Sequence, residues 1–165
     1  MDASIEGVRV AGTQQGAVPV VTLTTDNEDE NDLLPIFIGF SEATSIVRGL
    51  DAEDIGRPLT HDLLLDGIEE LGGRVERVAI SAVEDGTYFA DLHLVTPRGT
   101  AVVDARPSDA LALAARTNAP IEIAADVYEG GRDDPEQYTE LHDIREVMGD
   151  AGANVRPTVR DRFDD

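Results

Sequence analysis

The sequence contains no cysteine, no lysine and no tryptophan among its 165 residues, and only 4% of them are aromatic. The absence of cysteine excludes disulfides and thiolate metal sites. Because aromatic side chains are so few, the core has to be built from valine, isoleucine, leucine and alanine; hydrophobic residues make up 41% of the chain. A chain of this length is expected to form one domain with a real core.

Positive charge is also scarce, since the chain has 13 arginines and 34 acidic residues, and the net charge is −21. The basic patch of an ordinary nucleic-acid-binding protein is missing. Self-repulsion of this size destabilises a small domain in dilute salt, whereas concentrated salt screens it. We therefore expect a halophilic, archaeal protein, because the acidic residues are spread along the chain. The alternative is an ordinary acidic protein with a disordered tail.

Long apolar runs and targeting signals are absent too. No apolar run approaches the roughly 20 residues that cross a bilayer. Residues 1–7 have neither the basic nor the apolar part of a signal peptide. We expect a cytoplasmic protein without membrane contacts. A Gly-rich phosphate loop, an HExxH motif and a Ser-His-Asp order along the chain are likewise missing.

Apolar patterns and turn residues predict alternating strands and helices. Strands are predicted at residues 5–11, 18–25, 33–38, 74–83, 87–96, 102–105 and 121–123. Helices are predicted at residues 41–50, 60–71, from 108 to the stop at 118–120, 124–129 and 135–148. Ser41, Thr60 and Ser108 are the expected helix caps, because a hydroxyl can accept a bond from a free backbone N–H of the first turn.

The two halves of the sequence repeat the same order of predicted elements. Ser41-Glu42-Ala43 and Ser108-Asp109-Ala110 each follow a short strand, and each short strand follows two longer ones. This order predicts an α+β fold of duplicated β-β-β-α units, with antiparallel or mixed sheets packed with helices. The polar junctions of the two halves are then expected near a pseudo-two-fold axis. Residues 1–130 are predicted as the main domain, 131–149 as a helical extension and 150–165 as an acidic mobile tail.

The segment from Arg57 to Asp62 is the first candidate site. His61 and Asp62 fall in the first turn of a predicted helix, where backbone N–H groups favour an anion. His61 is a candidate general base or metal ligand, and Asp62 a candidate carboxylate ligand. The alternative, favoured on this segment alone, is that Asp62 complements the helix N-terminus and that His61 lies on the surface.

A second candidate is Arg106-Pro107-Ser108-Asp109, where a strand hands over to a helix. Arg106 is suited to grip a phosphate with two N–H groups, and Asp109 is suited to bind a hard cation such as Mg²⁺. Glu42 holds the place of Asp109 in the first unit, so it is a further candidate metal ligand. The alternative is a helix cap with an Arg–Asp ion pair.

A third candidate lies on the strand at residues 87–96. Asp91 and His93 are two residues apart, so both point to the face that also carries Phe89. That face is either the floor of a site or simply the solvated face of an antiparallel sheet.

Four segments together resemble the bifunctional nuclease family. They are Leu34–Gly39 followed by Ser41–Ala43, Arg57–Leu63, Gly86–Ala90 and Ala105–Ala110. The resemblance covers roughly residues 5–129 and implies cleavage of both RNA and DNA. It carries no established catalytic residues, so the site assignments rest on the residues themselves.

The expected function is hydrolysis of phosphodiester bonds in RNA and DNA, assisted by Mg²⁺ or Mn²⁺. The expected metal ligands are Asp62, Asp91, Asp109 and Glu42. His61 is the expected base, Arg106 and Arg57 are the expected phosphate contacts, and Ser108 is a further candidate catalytic residue. The alternative is a non-catalytic oligomeric module in which these residues are structural caps. A homo-oligomer, preferably a dimer, is expected because apolar strand edges need covering.

Overall fold

A computed structural model describes residues 1–54 and 56–152. In this part the strands are β1 Asp2–Thr13, β2 Gly16–Thr25, β3 Leu34–Phe37, β4 Arg74–Glu84, β5 Thr87–Thr96, β6 Gly99–Ala105, β7 Ile121–Ile123 and β8 His142–Asp143. The helices are α1 Phe40–Leu50, α2 Thr60–Glu70, α3 Pro107–Thr117, α4 Ala125–Gly131, α5 Glu136–Thr139 and α6 Ile144–Gly152. None of these helices is both long and apolar enough to cross a membrane.

The strands form one mixed sheet in the order β3-β2-β1-β7-β4-β5-β6, with β8 attached to β1. Two antiparallel meanders, β1–β3 and β4–β6, flank β7, which pairs antiparallel with β1 and parallel with β4. α1 follows β3, and α3 follows β6. The predicted α+β fold is therefore confirmed, and the two β-β-β-α units share a single sheet.

One core holds the two units together, because apolar residues from both meanders pack with α1 and α3. Five successive residues of α3, from Ala110 to Ala114, are buried in it. Three of the five are alanines, and this small surface allows α1 to approach α3 closely. At Gly49 of α1, an added Cβ atom would lie only 3.0 Å from the Cβ of Ala115. The two helices are thus locked side by side, and this contact sets the position of the polar residues they carry.

The three predicted helix caps are wrong. The N-cap positions are occupied by Gly39, Leu59 and Arg106, and none of these residues makes a side-chain cap bond. α3 begins earlier than predicted because Pro107 fits the first helical position, which needs no backbone N–H donor. Ser108 therefore falls inside the first turn, where it is buried.

The predicted helix at residues 135–148 is also wrong. The segment contains the short helix α5, the two-residue strand β8 and the start of α6. β8 pairs with Arg9 and Val10 of β1, and Tyr138 of α5 packs against Val20 and Leu33. These tertiary contacts override the helical spacing of the apolar residues. Most of the predicted mobile tail, residues 153–165, lies outside the described residues.

Candidate active site

A cleft of about 320 Å³ opens where α1 meets the first turns of α2 and α3. It is lined by Ser41, Glu42, Ser45, Arg48, Leu59, Thr60, His61, Arg106 and Asp109. Both polar junctions of the two units, at Glu42 and at Arg106–Asp109, contribute to this wall. We call this candidate active site the catalytic cleft. The two junctions, expected near a pseudo-two-fold axis, lie side by side in this wall, and the intervening helix α2 adds His61.

His61 joins two other residues of the catalytic cleft. Its Nδ1 atom lies 2.6 Å from Ser45 Oγ, and its Nε2 atom lies 2.9 Å from Asp109 Oδ1. The His61 side chain is only 13% exposed, against 33% for Asp109. A Ser-His-Asp chain is therefore assembled from three helices. The expectation that the sequence lacks a Ser-His-Asp order is wrong, because Ser45, His61 and Asp109 follow one another in that order over 64 residues.

The hydrogen bonds around this chain determine where its protons lie. Arg116 donates from NH2 to Ser45 Oγ at 3.0 Å, which leaves the Ser45 hydrogen to point at His61 Nδ1. Burial opposes ionisation of Asp109, but hydrogen bonds from Arg106 and His61 outweigh it and lower its pKa. An ionised Asp109 can only accept, so the His61 Nε2 atom carries the proton. In a neutral His61 ring, the basic lone pair on Nδ1 then faces the Ser45 hydroxyl.

Arg106 connects the two polar junctions. It donates to both oxygens of Asp109, from Nε at 3.0 Å and from NH2 at 3.3 Å. Its NH1 atom lies 3.4 Å from Glu42 Oε1. The Arg106 side chain is nevertheless 67% exposed, so it stands at the mouth of the cleft with surface left for a ligand.

Arg48 brings a second guanidinium to the same wall, and the sequence patterns did not single it out. Its Nε atom is buried and has no hydrogen-bond partner among the described residues. A buried N–H without a partner is costly, so such a group commonly marks a bound water or ion. In the sequence, Arg48 is an arginine in the last turn of a helix, which the helix dipole alone would explain.

Asp62 has a structural place outside the wall of the catalytic cleft. Its Oδ2 atom accepts the backbone N–H of Leu59 at 3.0 Å, and its Oδ1 atom accepts Nε of Arg116 at 2.7 Å. Burial raises the pKa of Asp62, but these two donors outweigh burial and leave the pKa lowered. The side chain closes the first turn of α2 and docks that helix on α3. This is the alternative role that the sequence left open for Asp62.

Asp91 and His93 do not join the catalytic cleft. Their neighbours Ala90 and Leu92 are buried in the core with α3, so the alternating strand directs Asp91 and His93 to the opposite face of the sheet. There the Nδ1 atom of His93 lies 3.5 Å from NH2 of Arg77. The structure thus separates Asp91 from Asp109.

Two further predicted site residues also lie elsewhere. Ser108 lines a second, larger cleft, whose wall also includes Arg106. Arg57 is exposed and does not contribute to the wall of the catalytic cleft. The residues missed by sequence reasoning are Ser45, Arg48 and Arg116, which belong to no recognisable motif. Ser45 lies in the interior of α1, and the two arginines lie in the last turns of α1 and α3.

The carboxylates do not fit the expected divalent-metal site. Among the described residues, no group of three or more His, Cys, Asp or Glu side chains is arranged to hold a metal ion. Both oxygens of Asp62 and both oxygens of Asp109 already accept N–H groups, including those of an arginine in each case. A cation would have to displace these guanidinium groups, so the side chains are arranged for ion pairing.

A family model for the bifunctional nuclease domain matches residues 21–133, which is more than half of the chain. The matched range contains the catalytic cleft from Ser41 to Asp109. The protein belongs to the bifunctional nuclease family. It is also similar to an uncharacterised protein of Mycobacterium tuberculosis, with 39% identity over 122 residues that cover 74% of this chain and 70% of that protein.

Two plant proteins are more distant relatives. Bifunctional nuclease 2 of Arabidopsis thaliana is 30% identical over 94 residues, covering 55% of this chain and 29% of the plant protein. Bifunctional nuclease 1 of Oryza sativa subsp. japonica is 29% identical over 100 residues, covering 58% of this chain and 30% of the rice protein. The chain therefore matches less than a third of each plant protein.

Proposed function

We propose that the protein is a nuclease that hydrolyses phosphodiester bonds of RNA and DNA in the catalytic cleft. The observation that carries this proposal is the chain of hydrogen bonds Ser45–His61–Asp109 beside the two arginines of the cleft wall. A nucleophile with its base and its orienting acid is the arrangement used to activate a hydroxyl. Membership of the bifunctional nuclease family supports nucleic acid as the class of substrate.

Ser45 is the proposed nucleophile. His61 Nδ1 accepts the proton of the Ser45 hydroxyl while Ser45 Oγ forms a bond to phosphorus and the bond to the leaving ester oxygen breaks. The protonated His61 then gives its proton to that leaving oxygen. Water, deprotonated by His61, then attacks the phosphorus attached to Ser45. The bond from phosphorus to Ser45 Oγ breaks, the second product leaves, and His61 returns its proton to Oγ, which restores the Ser45 hydroxyl. Asp109 holds the ring and stabilises its charged form.

A nucleophile supplied by the protein explains how one site can act on both nucleic acids. Cleavage through the 2′-hydroxyl is available only in RNA, whereas attack by Ser45 Oγ needs no group of the sugar. The proposed mechanism therefore predicts parallel effects of each active-site change on RNA and DNA.

Arg48 and Arg106 are the proposed phosphate contacts. Arg106 is mostly exposed at the mouth of the cleft, and Arg48 carries a buried N–H group that finds no partner in the described part of the chain. Guanidinium groups match the geometry of phosphate oxygens and counter the charge that develops in the transition state. These short-range contacts are needed because the net charge of −21 repels nucleic acid at long range.

The expected Mg²⁺ or Mn²⁺ remains a prediction, and the proposed reaction of Ser45 does not depend on it. Cleavage by protein treated with EDTA, compared with protein given Mg²⁺ or Mn²⁺, tests it directly. Retained activity in EDTA agrees with carboxylates that are paired with arginines. A strict metal requirement would show that a cation rearranges these pairs.

The competing function is a non-catalytic oligomeric module. It is favoured by Arg116, whose hydrogen bonds connect α3 to α1 and α2. Arg116 is only 8% exposed and binds Asp62, the Ser45 backbone oxygen and the Ser45 hydroxyl. The variants Asp109→Asn and Asp62→Asn separate the two functions. The nuclease proposal predicts that Asp109→Asn folds normally but loses cleavage of RNA and DNA, whereas Asp62→Asn mainly loses stability. Unfolding of both variants, together with an inactive wild type, would favour the module.

High-salt adaptation, a cytoplasmic location and a homo-oligomer, preferably a dimer, belong to the same proposal. The charge of −21 supports the adaptation to high salt. Exposed apolar side chains support the homo-oligomer, since Val102 on the edge strand β6 is 60% exposed and Leu71 after α2 is 82% exposed. Light scattering after gel filtration in concentrated KCl measures the oligomeric state, and a monomer at every concentration would contradict it.

A further inference from the structure

A second cleft of about 620 Å³ adjoins the catalytic cleft. It lies between the end of β3, the start of β5 and the start of α3, and its wall includes Phe37, Tyr88 and Ser108. The volume falls within the usual range for small-molecule sites, about 300–1,000 Å³.

The two clefts share one side of their walls. Arg106 and Glu42 line both of them. A phosphate bound to Arg106 in the catalytic cleft would therefore have its neighbouring nucleotide at the entrance of the second cleft.

The side chains of the second cleft suit a nucleobase better than a phosphate. Phe37 is 54% exposed, which is unusual for a large aromatic side chain, and its ring is available for stacking. The Tyr88 hydroxyl is neutral near pH 7, as in any tyrosine, and burial raises its pKa further, so it can donate or accept a hydrogen bond. The Asp133 carboxylate, which lines the second cleft and not the catalytic cleft, would repel a phosphate, and the Glu42 carboxylate can accept a hydrogen bond from the amino group of a base.

We propose that this second cleft, the nucleobase cleft, holds one unstacked base of a single-stranded nucleic acid next to the phosphate on Arg106. The proposal rests on the proposed function of the catalytic cleft. A base can enter such a cavity only when it has left the duplex stack, so the protein selects single strands or frayed ends. Stacking on an aromatic ring tolerates any base and either sugar, in agreement with action on both RNA and DNA.

Binding is tested with the inactive variant His61→Ala, so that the probe stays intact. The probe is a fluorescein-labelled single-stranded oligo(dC) of about 8 nucleotides, and the same strand in a duplex is the comparison. Fluorescence anisotropy in about 2 M KCl measures both dissociation constants. Phe37→Ala removes the stacking ring, and Thr87→Trp narrows the cleft from an exposed position in its wall. Phe89→Ala is the matched control, because Phe89 is also partly exposed but lies outside both clefts.

The nucleobase cleft predicts that Phe37→Ala and Thr87→Trp each weaken single-strand binding by about 5- to 100-fold, the range given by losing one stacked base. Phe89→Ala leaves the dissociation constant unchanged, and the duplex binds more weakly than the single strand. Circular dichroism checks that each variant is folded. Single-strand affinities that are equal in all four proteins, or a duplex that binds as tightly as its single strand, would overturn the proposal.

Turnover of bis(4-nitrophenyl) phosphate, which has no nucleobase, distinguishes a failure of the nucleobase cleft from a failure of the proposed function. If the wild type hydrolyses it and His61→Ala does not, the proposed function holds, and unchanged single-strand affinities then remove the nucleobase cleft alone. If the wild type cleaves neither this ester nor RNA or DNA, the proposed function fails. A selective loss of single-strand binding in Phe37→Ala would in that case still support the cleft as a binding site.

Discussion

His61 Nε2 lies 2.9 Å from Asp109 Oδ1 although 48 residues separate the two side chains in the sequence. The bond joins α2, which lies between the duplicated units, to the first turn of the helix of the second unit. The first unit contributes Ser45 to the other side of the same imidazole ring. The cleft therefore needs both β-β-β-α units and α2, because each unit alone would supply only part of the chain of hydrogen bonds.

Arg48→Ala is expected to raise the KM for RNA and DNA by about tenfold or more, because a charge-assisted contact to phosphate is removed. Stability should be unchanged or slightly higher, since the buried Nε–H of Arg48 has no partner among the described residues. Steady-state kinetics and thermal unfolding measure the two effects. Arg98→Ala, at an exposed turn, is the control. A large loss of stability with unchanged kinetics would assign Arg48 to the scaffold.

Asp62 should contribute to stability at neutral pH and lose this contribution in acid. Its pKa is lowered in the folded state, so the stabilisation is complete above the ordinary aspartate pKa of about 3.9 and disappears as the pH falls through the lower folded value. Because the Asp62 side chain is 37% exposed, solvent screens its ion pair with Arg116, so Asp62→Asn should cost at most about 1 kcal/mol at pH 7 and show a weaker dependence on pH below about 4. Denaturant titrations at several pH values measure this, with the exposed Asp66→Asn as control. Equal stability of wild type and Asp62→Asn at pH 7 would contradict the role of Asp62.

Tyr138 should lower the free energy of unfolding in alkaline solution. Burial and the hydrogen bond from its hydroxyl to Asp133 raise its pKa to about 12. The unfolded chain ionises near pH 10, so this residue's stabilisation is complete below that pH and is lost as the pH rises towards about 12. Tyr138→Phe should flatten the fall in the free energy of unfolding over this interval. A Tyr138→Phe variant with the same alkaline slope as the wild type would contradict the assignment.

Salt should stabilise the protein. The charge of −21 creates self-repulsion, which KCl screens. The temperature midpoint of unfolding is expected to rise steadily from low salt to about 2 M KCl. The double variant Glu28→Gln/Asp29→Asn, at two exposed positions, should show a weaker rise because its repulsion is smaller. A midpoint that does not change with KCl would contradict salt adaptation.

Local patterns predicted most of the strands and the helices α1–α3, because alternating apolar residues and proline or glycine stops act over a few residues. They failed at residues 135–148, where pairing of His142 and Asp143 with β1 decides the structure. They also could not distinguish Asp62 from Asp109. Both are acids in the first turn of a helix, and only the fold shows that one meets Arg116 and the other meets His61.

Ser45 illustrates why the candidate site was only partly predictable. It lies in the interior of α1 in no motif, and it is only 8% exposed. Its role depends on the position of His61, 16 residues later, and on the packing of α1 against α3. Such long-range placement is a property of the packed core and leaves no signature in the local sequence.

The central claim is tested most directly by single-turnover cleavage of matched RNA and DNA oligonucleotides by wild type and Ser45→Ala in concentrated KCl. Removing the nucleophile should lower both cleavage rates by the same factor, about 100-fold or more, in a protein with unchanged circular dichroism. Mass spectrometry of the quenched wild-type reaction should find a nucleotide phosphate attached to Ser45. Cleavage of both substrates by Ser45→Ala at the wild-type rate would contradict the account.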